Sequence, residues 1–343
     1  MEIKQIGIIG SGKMGTDIFN YLLEFGFILK LVCSRSSVPE NIHSKIKKKL
    51  DRQLKNGLIS AEKFEEKLGD IEISGDLQTL KNSDLIIECI TEDLDLKSKL
   101  LVEMDEIAND SCIFASNTSS FIPSLLMKNI KRTDRFCDIH FFYPVKLKDA
   151  VEVIYPDKTD DADKQTVEKF LYMIEKRPVI QSEAEPFLIN RILLEIQATA
   201  FNILENSDKT PVKIDEIIKN GISEAGAFEL MDKVGIKTVY TAIKGYVRDY
   251  DNRELYLPLI ECLEKMINEG IDGFYSEEFD RLSVRKYDNC ITSNNIRNDI
   301  IENLISFIDR ITKKSKISND DIRYMLLQFI SGDIVTEIMD KIV

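Results

Sequence analysis

The sequence predicts an α/β protein in which a doubly wound, mostly parallel sheet is followed by an all-α domain. In the first half, short β-branched runs alternate with amphipathic segments of helical period, which is the pattern of βαβ units. A glycine-rich loop follows the first of these runs, and from Phe187 onward long helical patterns replace the strand signals. A chain of 343 residues is long enough for two domains.

Eight apolar runs are predicted to be strands. In chain order they are "KQIGIIG", "ILKLVC", "IEIS", "SDLIIECI", "SCIFASN", "RFCDIHFF", "AVEVIYP" and "RPVIQS". Helical patterns lie between them, for example over 14–25, 94–108 and 162–175. Because helical segments separate most of these runs, we expect parallel strands with helices on the faces of the sheet.

The strand signals end near residues 184–187, where Pro186 suits a break before a helix. We therefore expect a first domain over 1–185 and a helical domain over 186–284.

The Asn- and Ser-rich stretch "YDNCITSNN" has the composition of a linker, and two amphipathic patterns follow it. We expect helices at roughly 296–313 and 319–342. Residues 285–343 are therefore predicted to form an additional helical extension.

Composition excludes several classes of protein. A net charge of −13 argues against binding to nucleic acid or to anionic membranes, because both need a cationic surface. No stretch approaches the ~18–20 apolar residues of a membrane span. The start "MEIKQIGIIGSGKMG" lacks the pattern of a secretory signal peptide, so we expect a cytoplasmic protein.

The cysteines give no sign of a disulfide or a metal site. No CxxC pair occurs, and most of the cysteines lie in or beside apolar, strand-like runs where cysteine behaves as a small hydrophobe. The six positions are Cys33, Cys89, Cys112, Cys137, Cys262 and Cys290. No metal is expected.

The loop "GSGKMG" follows the first strand and opens a helix. Gly10 permits the tight turn, Gly12 allows a pyrophosphate to approach the backbone, and Gly15 allows close packing of helix on strand. The helix N-terminus then faces the anion. This arrangement predicts a Rossmann-type dinucleotide site that also includes Lys13 and Met14.

The end of the second strand bears on the choice of cofactor. Proteins that bind NAD usually carry an acidic residue there, which accepts hydrogen bonds from the 2′-hydroxyl of the ribose. This chain has Cys33, Ser34, Arg35 and Ser36 instead. A guanidinium and hydroxyl groups suit a 2′-phosphate, which tilts the expectation from NAD slightly towards NADP. Alternatively, Arg35 only stacks on the adenine.

His140 is one of two histidines in the chain, and Glu152 lies twelve positions later in the next apolar run. A single histidine beside aromatic residues is more often structural than catalytic. The neighbouring motifs decide between these interpretations. They are "GSGKMG" (10–15), "IIECITEDLDLKSKL" (86–100), "FASNTSS" (114–120), "RFCDIHFFYPV" with "VEVI" (135–154) and "FLINRIL" (187–193).

In this order and spacing, the motifs resemble the L-3-hydroxyacyl-CoA dehydrogenase family over about residues 3–275. The resemblance implies an oxidoreductase of fatty acid metabolism that interconverts a 3-hydroxyacyl thioester and its 3-keto form. His140 would be the general acid or base, and Glu152 would hold the other ring nitrogen. Ser119 would hydrogen-bond the substrate oxygen, and Asn190 would donate to the developing oxyanion.

Further positions follow from the same resemblance. Asn117 resembles a contact to the nicotinamide ribose, although an ordinary turn asparagine would look the same. Glu92 and Lys97 match positions near the nicotinamide; the alternative is an exposed ion pair at a helix start.

The sequence departs from the family at several places. Tyr143 replaces a usual asparagine in "HFFYP", and Lys148, Asp149 and Ala150 replace an apolar run. In the second half, "EAGA" (224–227) replaces a proline-rich turn before "FELMD". With Tyr143 and Lys148 as substrate contacts, we expect a pocket for a short or polar acyl group.

A lysine-rich helix is the candidate site for the substrate carrier. In the family, the helix at this position lies near the adenosine phosphates of CoA, and lysine binds phosphate as a point charge. A solvated basic face is the alternative. The cations are Lys45, Lys47, Lys48, Lys49, Arg52 and Lys55, of which Lys49 and Lys55 are the chosen candidates.

Two other functions stay open at this point. The same basic helix could receive an acyl carrier protein, in which case the substrate would be a small polar hydroxyacyl group of a biosynthetic pathway for polyketide extender units. The chain could also be a catalytically silent dinucleotide-binding protein with a structural or sensory role. The resemblance further implies a homodimer formed through apolar helices such as "ILLEIQATAFNIL".

Overall fold

The computed structural model describes residues 2–34, 39–184, 186–247, 253–282, 290–314 and 317–342. The chain divides into two compact units, Met1–Pro186 and Phe187–Val343. No helix in the described ranges is long and apolar enough to cross a bilayer.

The first unit is built on one sheet, to which the described residues contribute eight strands. The strands are β1 (Gln5–Ile9), β2 (Ile28–Val32), β3 (Ile71–Ser74), β4 (Leu85–Glu88), β5 (Ile113–Ser116), β6 (Phe136–Phe141), β7 (Ala150–Ile154) and β8 (Arg177–Gln181). Their order across the sheet is β3-β2-β1-β4-β5-β6-β7-β8, and only β6 and β7 pair antiparallel. The predicted doubly wound, mostly parallel sheet is confirmed.

Helices cover both faces of this sheet. They are α1 (Lys13–Leu22), α2 (Pro39–Lys55), α3 (Ala61–Gly69), α4 (Leu94–Ile107), α5 (Pro123–Leu126) and α6 (Asp161–Met173). Capping side chains fix where several begin. For example, Asp93 accepts a hydrogen bond of 3.0 Å from the backbone N–H of Leu96 at the start of α4.

Both faces of β4 and β5 are apolar up to the last residue of each strand. Ile86 and Phe114 lie in the core on the face that α4 covers, and Phe136 belongs to the same cluster. Because side chains alternate along a strand, Glu88 and Ser116 continue that face two residues further on. The same alternation places Asp138 and His140 there, so polar groups collect at this end of the sheet.

The second unit is helical, as predicted. Its helices are α7 (Leu188–Glu205), α8 (Pro211–Lys219), α9 (Ala227–Val234), α10 (Ile236–Tyr246), α11 (Leu257–Glu269), α12 (Glu277–Asp280), α13 (Ser293–Lys314), α14 (Asn319–Leu327) and α15 (Gly332–Ile342). The long helix α7 is buried on nearly all sides, and α13 packs along it.

The C-terminal extension is part of this second unit. The buried face of α13 is apolar and consists of Ile296, Ile300, Ile301, Leu304, Phe307, Ile308 and Ile311. The predicted linker "YDNCITSNN" falls partly outside the described residues, and its last three residues already belong to α13.

The single helix expected over 319–342 is wrong, because the structure has two helices there. Ile330 forms an isolated β-bridge with Ser223, and the N–H of Ser331 donates to the carbonyl of Ile222 at 2.9 Å. These backbone contacts to the loop after α8 are incompatible with a continuous helix.

Candidate active site

The glycine-rich loop has the geometry of a phosphate site. Gly10 has φ +111°, and a Cβ atom there would lie 2.6 Å from the carbonyl oxygen of Cys89. A Cβ atom on Gly15 would lie 2.0 Å from the carbonyl oxygen of Gly10, so helix and loop touch through these glycines. At Gly12 the same position is open space, and no side chain caps the N-terminus of α1. A pyrophosphate therefore has both room and backbone N–H donors.

A cleft of about 620 Å³ extends from this loop along the carboxyl ends of β1, β2 and β4. It is lined by Gly10, Ser11, Gly12, Cys33, Ser34, Asp76, Gln78, Ile90, Leu96, Lys99 and Glu103, among others. Its size and position fit a dinucleotide.

The cleft contains an acidic residue that sequence reasoning missed. Asp76 lies after β3, next to β2 in the sheet, and lines the same cleft as Ser34. One oxygen of its carboxylate accepts the N–H of Gln78 at 3.0 Å. Arg35, on which the expectation for NADP rested, lies outside the described residues.

His140 and Glu152 face each other across the antiparallel pair β6–β7. They are direct partners in the register, and Nδ1 of His140 lies 2.7 Å from Oε2 of Glu152. The other oxygen of Glu152 accepts a hydrogen bond of 2.9 Å from Nε2 of Gln181 at the end of β8. Glu152 is fully buried, whereas His140 keeps 8% of its surface exposed beside Phe142. The pair that the motifs predicted is therefore assembled by strand register.

Lys97 belongs to a buried cluster of charged residues near the carboxyl end of β4. Its Nζ atom is 2.8 Å and 3.0 Å from the two oxygens of Glu88 and 3.2 Å from Oε2 of Glu92. Lys97 is 1% exposed, so the alternative of an exposed ion pair is wrong for the lysine. Burial alone would lower the pKa of Lys97, but Glu88 and Glu92 outweigh burial and raise it. Sequence reasoning missed Glu88.

Glu92 connects this cluster to Ser119. Its Oε1 atom accepts hydrogen bonds from the hydroxyl of Thr118 and, at 3.2 Å, from the N–H of Ser119. Burial alone would raise the pKa of Glu92; the charge of Lys97 and hydrogen bonds from Thr118 and Ser120 outweigh burial and lower it. A charged Glu92 therefore fixes the backbone that carries Ser119.

Asn117 holds the end of β6 in place. Its Oδ1 atom accepts a hydrogen bond of 2.9 Å from the N–H of Phe141, the residue after His140. Its amide oxygen thus ties the loop after β5 to the strand that carries His140.

Asp138 is a second buried acid that the motifs did not reveal. It is fully buried, it stands opposite Ser116 in the β5–β6 pairing, and its carboxylate oxygens have no hydrogen-bond partner among the described residues. Burial raises the pKa of Asp138 well above its ordinary value of 3.8, and the negative charge of Glu88 adds to this shift. The protonated form of Asp138 is therefore favoured in the folded protein relative to an exposed aspartate.

The loop after β6 carries Tyr143, which is 49% exposed, over the start of α1. The Nζ atom of Lys13 lies 3.8 Å from the centre of the Tyr143 ring. Further along this loop, the buried Lys176 donates to the carbonyl oxygen of Lys148 at 2.9 Å. The side chain of Lys148 is half-buried.

Asn190 lies in the first turn of α7 in the second unit. Its Nδ2 atom donates to the hydroxyl of Tyr246 at 3.1 Å. Within the "EAGA" turn, Gly226 precedes α9, and Asp215 accepts the backbone N–H groups of Phe228 and Glu229 at 3.1 Å and 2.7 Å. The altered turn thus retains a well-defined helix start.

The lysine-rich helix is α2, and its cations differ in exposure and in their contacts. Lys45, Lys47, Lys48, Arg52 and Lys55 are exposed. Lys49 instead forms an ion pair of 3.1 Å with Glu24 and donates to the carbonyl of Asn20 at 3.3 Å. Of the two lysines chosen from the sequence, Lys55 is exposed and Lys49 is already engaged.

Comparison with known proteins agrees with this geometry. Residues 5–184 match the model of the NAD binding domain of 3-hydroxyacyl-CoA dehydrogenase, and residues 187–276 match the C-terminal domain of the same family. The mitochondrial hydroxyacyl-coenzyme A dehydrogenase of Sus scrofa is 31% identical over 290 residues, which cover 80% of this chain and 91% of the relative.

Two solved structures are similar in fold. The (S)-3-hydroxybutyryl-CoA dehydrogenase of Ralstonia eutropha has a TM-score of 0.70 at 28% identity and covers 84% of this chain and 100% of its own. FadB2 of M. tuberculosis has a TM-score of 0.68 at 25% identity, and the match covers 80% of this chain and 99% of FadB2. The glycine-rich loop, the His140–Glu152 pair and the matches to both domains lead to one conclusion: the chain belongs to the 3-hydroxyacyl-CoA dehydrogenase family.

Proposed function

We propose that this enzyme oxidises the 3-hydroxyl group of a 3-hydroxyacyl-CoA with NAD, with His140 as the general base. The observation that carries this proposal is the 2.7 Å contact between Nδ1 of His140 and the buried carboxylate of Glu152. It fixes the tautomer and ring orientation and stabilises the imidazolium that forms. Nε2 is then the ring nitrogen with which a substrate hydroxyl exchanges its proton.

Other residues of the chain orient the reacting groups. We assign Ser119 to the substrate oxygen. Glu92 fixes the backbone of Ser119 after the carboxyl end of β5, the strand next to the one that carries His140. We assign Asn190 to the substrate carbonyl, where an amide N–H stabilises negative charge. When bound, the nicotinamide supplies the hydride acceptor. Residues of the loop from Gly10 to Gly15 hold its pyrophosphate.

The substrate is proposed to carry a short or polar acyl group. The polar segment with Lys148 and the exposed ring of Tyr143 support this proposal. The exposed cations of α2 are proposed to bind phosphates of CoA; they are Lys45, Lys47, Lys48, Arg52 and Lys55. The matches to both domains favour CoA over a carrier protein, and they favour an oxidoreductase over a catalytically silent protein.

The direct test is reduction of acetoacetyl-CoA by the purified protein, followed by loss of absorbance of the reduced nicotinamide. Turnover with acetoacetyl-CoA and weaker activity with longer, wholly aliphatic 3-ketoacyl-CoA substrates would support the proposal. Tight cofactor binding without turnover of any CoA substrate would refute it.

Acceptance of NADP is a separate proposal. The NAD-binding domain of the family supports NAD. Absence of a carboxylate at the end of β2 favours a 2′-phosphate, whereas Asp76 in the same cleft favours a 2′-hydroxyl. The ratio of kcat/KM for NADH and NADPH in wild-type and Asp76→Asn protein decides between them. A strong preference for NADH in both proteins would exclude NADP.

Homodimer formation and cytoplasmic localisation also stay predictions. Helix α7, which contains "ILLEIQATAFNIL", is packed against α13, so we expect the proposed homodimer to use other helices of the second unit. The six cysteines form no disulfide, which fits a reducing compartment. Light scattering tests the first prediction, and cell fractionation tests the second.

A further inference from the structure

Lys13 is a cation at the phosphate loop whose only described partner is an aromatic ring. It is the first residue of α1, directly after Gly12, and its Nζ atom lies 3.8 Å from the centre of the Tyr143 ring. No carboxylate forms an ion pair with it in the described ranges of the chain. An aromatic ring attracts a cation without neutralising it. Lys13 therefore retains a full charge available to an anion.

Packing does not explain the position of the Tyr143 ring, because half of its surface is exposed. The backbone of its loop is nevertheless fixed to α1. The N–H of Val145 donates to Asp17, one turn after Lys13, at 2.7 Å. From the other side, Lys176 donates to the carbonyl oxygen of Val145 at 2.6 Å. These two contacts hold the ring over the first turn of α1.

The anion expected at this place is the pyrophosphate of the dinucleotide. The open space at Gly12 and the uncapped N-terminus of α1 admit a phosphate one residue away from Lys13. From this loop the backbone supplies only N–H dipoles, whereas a pyrophosphate carries two negative charges. In the segment 10–15, the ammonium group of Lys13 is the only formal positive charge.

We propose that Lys13 binds the pyrophosphate of the cofactor and that Tyr143 is a positioning residue that holds the ammonium group in place through its ring. The proposal rests on the dinucleotide site of the proposed function. It gives Tyr143 a role in cofactor binding through Lys13, in addition to the substrate contact proposed for its exposed ring.

The test measures binding of ADP-ribose and of AMP by calorimetry, without any acyl substrate. ADP-ribose contains the pyrophosphate, whereas AMP has a single phosphate group. Lys13→Met is expected to weaken binding of ADP-ribose about tenfold or more, to reduce its salt dependence, and to affect AMP less. Lys81→Met is the matched control, because Lys81 is exposed before the amino end of β4, whereas the phosphate loop follows the carboxyl end of β1. It should bind like the wild type.

The role of Tyr143 is tested in a double-mutant cycle. Tyr143→Leu should weaken ADP-ribose several-fold in the wild type but have no effect in the Lys13→Met protein. Tyr143→Phe keeps the ring and should restore the affinity. An equal loss from Tyr143→Leu in both backgrounds would mean that the ring itself contacts the ligand, which would overturn the positioning role.

Unchanged affinity of Lys13→Met for ADP-ribose would overturn the pyrophosphate site. The same holds if this variant only raised KM for acetoacetyl-CoA, because the cation would then serve the substrate. Since the binding test needs no turnover, a protein inactive on every CoA substrate could still show the expected loss of affinity. Failure of the two proposals is therefore distinguishable.

Discussion

Glu152 stands directly opposite His140 in the antiparallel pairing of β6 and β7, and its Oε2 atom lies 2.7 Å from Nδ1 of the imidazole. Both residues lie within strands, so the distance is set by the spacing of two hydrogen-bonded strands. An acid–base pair mounted on a sheet in this way is rigid, as a catalytic histidine requires.

Glu152→Gln is expected to lower kcat by ~10²-fold or more, because the amide cannot stabilise the imidazolium of His140 as a carboxylate does. His140→Ala should lower kcat at least as much. Cofactor affinity, measured by fluorescence of bound NADH, should stay nearly unchanged in both variants. An equal loss of turnover and cofactor affinity would instead identify His140 as a structural residue.

Gln181→Met is expected to lower both the free energy of unfolding and kcat, because it removes a hydrogen bond to Glu152. Gln181 donates to Oε1 of Glu152 at 2.9 Å, and a hydrogen bond to a buried charged group contributes about 1.5–3 kcal/mol. We expect a lower free energy of unfolding in urea and a loss in kcat that exceeds any change in KM. Gln165→Met, on the exposed side of α6, is the control. Full activity of Gln181→Met would show that His140 alone fixes the carboxylate.

Lys97→Met is expected to lower the free energy of unfolding by about 3–5 kcal/mol, because it leaves the buried carboxylate of Glu88 without its cation. Lys99→Met, two residues further on α4 and exposed, should stay within about 0.5 kcal/mol of the wild type. Adding Glu88→Gln to Lys97→Met should recover part of the loss. If it recovered none, the destabilisation would come from packing rather than charge.

Asp138→Asn should change how stability depends on pH. Burial raises the pKa of Asp138 well above 3.8 in the folded protein, so the folded state keeps a proton that the unfolded chain has released. In that window the wild type loses stability as pH rises, by at most ~1.4 kcal/mol per pH unit. Asparagine does not titrate, so the variant should gain on the wild type as pH rises above about 4.

Urea unfolding of both proteins between pH 4 and pH 8 measures this difference. Asp110→Asn, an exposed position, serves as the control and should run parallel to the wild type. A constant difference between Asp138→Asn and the wild type over the whole range would mean that Asp138 is ionised in the folded protein.

Much of the fold and part of the site could be predicted from the sequence, because both depend on local patterns. Apolar runs of strand length marked all eight strands. The spacing of Gly10, Gly12 and Gly15 marked the phosphate loop, because all three glycines lie in one short segment of the chain.

Residues recruited by strand pairing could not be predicted in this way. Glu88 contacts Lys97 on a following helix, Gln181 reaches Glu152 from a neighbouring strand, and Asp76 enters the cleft from the turn after β3. Each looks like an ordinary polar residue at the end of a strand. The break between α14 and α15 had the same cause, because Ile330 pairs with Ser223 more than a hundred residues earlier.

The packing of α13 on α7 has a practical consequence for anyone expressing the second unit. The match to the C-terminal domain ends at residue 276, which invites a stop codon shortly after α11. Such a truncation would uncover the apolar side of α7 and remove Leu304 and its neighbours from the core. A fragment that ends at residue 276 is therefore expected to expose this apolar surface and to aggregate, whereas a fragment that includes α13 keeps the surface covered.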